Sequence, residues 1–140
     1  EVEFTDSQIE FGKGIRVVEG TDVTIVCIGS QLKFALKAAS ELSTTGISAD
    51  VLYFHTIKPF DNQLVRSSIE KTKRVITIEE LSAHDGVFNS VLKACIGLDG
   101  VKYEQIAIHD FIHGYGSYEE LCGNLGMSPE GIINKIKQIL

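Results

Sequence analysis

VLYFHTIKPFDNQLVRSSIEKTKRVITIEE, residues 51–80, holds one complete β-loop-α-β unit, and its reading decides the fold. Val51–Phe54 is an apolar, strand-like run that leads into His55-Thr-Ile-Lys-Pro-Phe-Asp61. Pro59 forbids helix before Asp61, because it lacks an N–H and restricts the residue ahead of it. Asp61 is placed to accept hydrogen bonds from the free N–H groups of the helix it starts. A short amphipathic stretch follows, then a second buried-looking run, Arg74–Ile78, which ends on Glu79-Glu80. Polar residues thus gather where strands end, the side of an open α/β sheet where ligands and partner domains dock.

Working outward, Val23–Ile28 is a continuous apolar run, as expected of a strand covered on both faces. After Gly29-Ser30 the period changes. Leu32, Ala35, Leu36, Ala39 and Leu42 recur at helical spacing, with Ser30 as the expected N-cap and Gly46 beyond the end. A strand over Ala49–Phe54, a helix over Asn62–Lys71, a helix near Val87–Ile96 and a strand over Lys102–Ile108 continue the alternation. Ser117-Tyr-Glu-Glu120 is a capping box, and Ser128-Pro129 opens a last helix expected to bury Ile132, Ile133, Ile136, Ile139 and Leu140. Toward the start, Ile9–Phe11 and Ile15–Glu19 flank Gly12-Lys13-Gly14, which suits a hairpin or tight reversal. Strands alternating with helices predict an α/β domain with a mainly parallel sheet covered on both sides.

The chain has 140 residues, 44% hydrophobic and 23% charged, which fits one domain with a substantial core. A net charge of −6 argues against nucleic acid and anionic membrane as partners, since counterion release needs clustered Lys and Arg. No apolar run approaches the ~20 residues that span a bilayer, and no signal peptide is expected. Cys27, Cys95 and Cys122 lie far apart with no C-x-x-C spacing, so they read as free thiols of a reducing, cytoplasmic compartment. The chain opens on Glu1 rather than Met, which suggests a piece of something longer.

Several residues invite a chemical reading. Gly29-Ser30 lies between a core strand and its helix, where backbone N–H groups could hold a small anion, as could the surroundings of Lys58. Neither G-x-G-x-x-G nor G-x-x-x-x-G-K-[ST] is present, however. His109 and His113 have the spacing of two metal ligands on a helix but run into Gly114-Tyr115-Gly116, a loop. Glu79 and Glu80 could form an acid/base pair, yet neighbours on a strand point to opposite faces, which favours a cap or an inter-domain hydrogen bond. Residues alone give an α/β domain without an evident catalytic set.

The ordered string resembles the C-terminal domain of transketolase-like enzymes. The matching parts are FGKGIRVVEGTDVTIVCIGSQL (11–32), AASELSTTGISADVLYFHTIKPFD (38–61), TKRVITIEE (72–80) and HGYGSYEELCGNLGMSPEGIINKIKQIL (113–140). The TIKPFD and T-x-R-V-x-T-x-E-E strings look closer to transketolase than to the pyruvate dehydrogenase β subunit or deoxyxylulose-phosphate synthase. The resemblance implies a three-layer α/β/α domain with a five-stranded, mostly parallel sheet, its antiparallel member drawn from Ile9–Glu19. Residues 1–20 would then form an entry segment and 21–140 the domain proper. It also implies that thiamine diphosphate and Mg²⁺ sit on preceding domains or an N-terminal subunit, in a homodimeric or heterotetrameric parent. No catalytic, cofactor or metal residue carries over to this chain, which alone is expected to be inactive. Gly97-Leu98-Asp99-Gly100 lacks the contiguous Gly-Asp-Gly and downstream Asn of a thiamine diphosphate motif and reads as a turn.

Gly29, Ser30, Lys58, Asp61, Glu79, Glu80, His84, Asp85 and Gly86 are the expected interface or anion-site residues. One departure stands out. Where the family has a Gly-Gly-x-Gly-like loop after Glu-Glu, this chain has Ser82-Ala-His84-Asp85-Gly86-Val-Phe88, which suggests a different neighbour and a divergent member with a non-standard donor or acceptor sugar. The parent would transfer two-carbon ketol units between sugar phosphates. The alternatives are a 2-oxoacid dehydrogenase β subunit, deoxyxylulose-phosphate synthase, a specialised sugar synthase, or a stand-alone anion-binding module.

Overall fold

The computed structural model describes residues 4, 5 and 8–140, and there the chain alternates strand and helix. In order these are β1 (Ile15–Val18), β2 (Val23–Ile28), α1 (Leu32–Ser43), β3 (Ala49–Phe54), α2 (Asn62–Thr72), β4 (Arg74–Ser82), α3 (Val87–Ala94), β5 (Lys102–Ile108), α4 (Tyr118–Asn124) and α5 (Pro129–Ile139). The five strands form one sheet, β1-β3-β2-β4-β5. β1 runs antiparallel to β3, with Ile15 opposite Tyr53, and the other neighbours pair in parallel. The expected five-stranded architecture with one antiparallel member is therefore present.

Alternation along the central strands assigns the two cores. Val23, Ile25 and Cys27 of β2 face one layer, with Ala35, Ala38 and Leu42 of α1 and Ile132 and Ile136 of α5. Val26 of the same strand faces the other, with Val65 and Ile69 of α2 and Val87 and Val91 of α3. A helix layer on each side is why β2 reads as an unbroken apolar run. Phe54, 1% exposed, stacks on Phe60 at 4.5 Å and pins the loop after β3; burying such a side chain is worth about 3 kcal/mol.

The expected punctuation mostly holds. Asp61 accepts from Leu64 N at 3.1 Å as the N-cap of α2, Ser117 closes its capping box on α4, and Ser128 caps α5 ahead of Pro129. The Lys58–Pro59 bond just before Asp61 is cis.

Several details differ from the sequence reading. Ser30 is not the N-cap of α1: Gly29–Gln31 form a 3₁₀ turn running into the helix, and Gln31 occupies the cap position. β4 does not end at Ile78 but continues through Glu79 and Glu80 to Ser82, and α3 stops at Ala94. Leu140 is 38% exposed instead of buried with Ile132, Ile136 and Ile139, because it lies past the last helical turn. The Gly12-Lys13-Gly14 stretch makes a turn, with Lys13 N donating to Glu10 O at 3.0 Å, but Ile9–Phe11 forms no strand beside it. The start of the expected 1–20 entry segment (residues 1–3, 6 and 7) lies outside the described residues. Among the described residues no helix is long and apolar enough to cross a membrane.

Candidate functional site

The carboxyl ends of β2, β3, β4 and β5 define one edge of the sheet, and most of the residues singled out from the sequence lie along it. They do not converge on one point. They form two separate hydrogen-bond centres, one on each face of the sheet, because Glu79 and Glu80 are consecutive strand residues whose side chains diverge.

On one face Glu80 is the hub. Its Oε1 accepts from the Ser30 hydroxyl, from Tyr118 OH at 2.6 Å and from Gln31 Nε2 at 2.8 Å. Ser30 Oγ and Tyr118 OH lie 2.7 Å apart, each directing its proton to Glu80. Gln31, itself fully buried, also donates to Tyr118 OH at 3.0 Å. Partial burial pushes the Glu80 carboxyl up, but the three hydrogen bonds and the nearby Lys33 cation outweigh it and hold it below the ordinary value of 4.5. Burial first, and then Glu80 itself, raise the Tyr118 phenol, so it stays protonated and donating. Lys33 Nζ sits 4.6 Å above the Phe34 ring and 5.0 Å from the Tyr118 ring, and 3.4 Å from Glu119. Chemically this is a latch. A carboxyl held low with three donors on one oxygen makes a poor general base, and it joins the start of α1, the end of β4 and the start of α4.

On the other face Glu79 is fully buried and accepts from Val87 N at 2.5 Å, Phe88 N at 3.3 Å and Gln105 Nε2 at 3.1 Å. It caps α3 from outside the helix, supplying an acceptor to N–H groups that the first turn leaves free. Gly86 makes this possible: a Cβ there would overlap the Glu79 carboxyl. The remaining glycine of the divergent loop is thus fixed by a close approach, while His84 and Asp85 beside it are exposed.

The other expected residues are apart from both centres. Asp61 accepts from Gly14 N at 3.3 Å as well as capping α2, and Lys58 is exposed on the same loop. Gly29 adopts φ +55°, which suits glycine, but the turn it starts faces the Glu80 carboxyl, so a small anion there would meet a negative charge. His109 and His113 are exposed on coil rather than aligned on a helix, and no group of three His, Cys, Asp or Glu able to hold a metal occurs among the described residues. All three thiols are buried and free; burial pushes Cys27 up to about 12 and raises Cys95 too.

Tyr118, Gln31 and Gln105 escape sequence reasoning. The capping box fixes where α4 begins, but nothing local tells that its first residue reaches across to β4. Beyond β5 a cavity of about 440 Å³ opens between Ser82 and residues 108–112, walled by Phe111 and Ile112. The coil that follows carries Tyr115 fully in solvent.

Comparisons with known proteins agree with the fold. Residues 12–132 match the family model described as transketolase, C-terminal domain. A 6-deoxy-6-sulfo-D-fructose transketolase subunit of Clostridium sp. is 32% identical over 99% of this chain, which spans 43% of that subunit. A 1-deoxy-D-xylulose-5-phosphate synthase of Desulfotalea psychrophila is 35% identical over 89% of this chain, which spans 20% of the synthase. Among solved structures, a split-gene transketolase described as an inactive β4 tetramer superimposes with a TM-score of 0.90 at 29% identity, over all of this chain and 46% of that one.

Proposed function

The chain belongs to the transketolase C-terminal domain family, and from that premise we propose that it is the assembly domain of a longer thiamine diphosphate enzyme that transfers two-carbon ketol units between sugar phosphates. The chain spans less than half the length of the relatives described above, so cofactor and substrate chemistry falls to the rest of such a protein. In this reading residues 1–20 are the entry segment, 21–140 the domain, and the preceding thiamine-binding domains or an N-terminal subunit are its partners in a cytoplasmic homodimer or heterotetramer.

The observation that carries the proposal is the state of the polar carboxyl edge. Glu79 and Glu80, the two acids best placed for catalysis, are both consumed by local hydrogen bonds. The residues present also do not fit thiamine diphosphate with Mg²⁺. The described residues offer no carboxylate cluster for the metal, and the one strand-to-helix turn suited to a diphosphate faces Glu80. No step of the reaction is therefore assigned to this chain. Lys58, His84, Asp85 and the Gly29-Ser30 turn are proposed as contact residues at the domain boundary.

Calorimetric titration of the 140-residue chain with thiamine diphosphate and Mg²⁺ tests the proposal. No heat of binding is expected, and stoichiometric binding would overturn it. Turnover of xylulose 5-phosphate with ribose 5-phosphate by the longer protein separates ketol transfer from the synthase and dehydrogenase readings.

A further inference from the structure

We propose that the outer side of β5 is a self-association edge, on which a second copy of this chain adds its own β5 antiparallel, with Tyr103 on the two-fold axis. Nothing in this depends on the reaction assigned to the longer protein.

β5 ends the sheet and pairs only with β4 among the described residues. Alternate residues of a strand direct their N–H and C=O groups to opposite sides. Lys102 N donates to Lys73 O at 3.0 Å, so Lys102, Glu104 and Ile106 turn these groups toward β4, and Val101, Tyr103 and Gln105 turn theirs outward. No hydrogen bond from a described residue reaches the outward main-chain groups of these three. Such a row is a template for another strand. Val101, Tyr103 and Gln105 are only half-buried, whereas Ala107, the next outward residue, is buried and closes the row.

Charge selects the occupant. Charged side chains usually blunt an edge strand, but those of β5 are complementary to themselves. Glu104 lies on the α5 face, 3.2 Å from Lys135, and by alternation Lys102 shares that face. Lys102 is exposed and has no acid partner among the described residues. With Tyr103 opposite Tyr103 of the second copy, Val101 meets Gln105 and Lys102 meets Glu104, once on each side of the axis. Unlike charges directly opposite stabilise a ladder, and like charges weaken it. Moving Glu104 onto the axis sets two acids against each other, and a further slip calls on the closed Ala107 position. The pairing centred on Tyr103 is therefore favoured.

The opposite face agrees. α3 crosses from β4 to β5 and is the outermost helix of its layer on that flank. It runs back toward the start of β5, where Cys95 at its end and Tyr103 belong to one apolar cluster. Leu92 and Ile96 on this stretch are 37% and 75% exposed, and joining β5 to β5 brings the two copies of α3 side by side. Two five-stranded sheets then become one continuous sheet, within the size that open sheets reach.

Charge exchange on the intact longer protein tests this, with self-association followed by sedimentation velocity over a dilution series and folding of each variant checked by circular dichroism. Lys102→Glu sets acid against acid on both sides of the axis and should move the association midpoint to about 30-fold higher concentration. Glu104→Lys should do the same with opposed lysines. The double variant Lys102→Glu/Glu104→Lys should bring the midpoint back to within ~3-fold of the original. In hydrogen exchange, the amides of Val101, Tyr103 and Gln105 should be protected in the associated state and exchange freely after dilution. Single exchanges without effect, or a folded double variant that is not rescued, would overturn the proposal. So would an absence of self-association, or protection of these amides that survives dilution to protomers, which assigns the edge to the protein's own polypeptide.

Discussion

At the amino ends of the strands Asp50 is fully buried, with Arg16 Nε 3.0 Å and Lys71 Nζ 3.4 Å away and the Ser68 hydroxyl donating at 2.5 Å. Thr24 extends the cluster to Ser68 and Thr72, each at 2.7 Å, and Arg74 holds the end of α5 through the carbonyls of Ile139 and Leu140. At the carboxyl ends the polar groups also pair, around Glu79 and Glu80, but rings and aliphatic side chains stand outside them in water. The polar groups of the amino edge are closed on themselves, with Leu140 left partly exposed beside them. The carboxyl edge is closed only in its polar part, and its apolar part is unpaired. In the proposed reading the same sheet separates a stabilising end from a contacting end, and substitutions at the two ends should fail in different ways.

The largest effect is expected at the closed end. Asp50→Ala leaves two cations and a hydroxyl cluster without their acceptor and should cost about 3 kcal/mol, toward the lower end for breaking a buried pair because Arg16 and Lys71 reach solvent. A fall in the denaturant midpoint at unchanged slope would show it. Next is Gly86→Ala, which drives a methyl into the Glu79 carboxyl and should cost about 2 kcal/mol by overpacking, with faster amide exchange at Val87 and Phe88.

The latch at Glu80 should be smaller and pH-dependent. Its folded value is depressed, so its stabilisation is fully present above 4.5 and is lost as pH falls through the folded value. Glu80 is largely solvent-exposed, which keeps the effect modest. Acid titration followed through the Tyr118 ring resonances should show α4 loosening below that point, and Glu80→Gln should abolish the transition. Smallest of all is Phe111→Ser with Tyr115→Ser, which should change the melting of this domain by no more than about 0.5 kcal/mol.

Much of this organisation is legible in the sequence. Buried strands such as Val23–Ile28 are written as apolar runs, and Asp61, Ser117 and Ser128 announce helix starts by chemistry that acts within three or four residues. What escapes depends on distant partners. Ser30 has the composition of an N-cap, but the carboxyl of Glu80 and the phenol of Tyr118 compete for its hydroxyl, and only the fold brings them together. Glu79 and Glu80 look like the end of a strand, yet pairing with β5 resumes at Ser82 and carries the strand past them. Asp50 sits inside an apolar run with no local sign of the two cations that reach it from β1 and α2. Nor does the string HDFIHGYG at 109–116 tell whether its rings are buried or left standing at an edge.

Small-angle scattering from the intact longer protein, with and without Phe111→Ser/Tyr115→Ser, tests the contrast between the two ends most directly. The account predicts a larger radius of gyration for the variant, as the domain swings off its neighbour, with the melting of the domain itself unchanged. Superimposable scattering curves would contradict it.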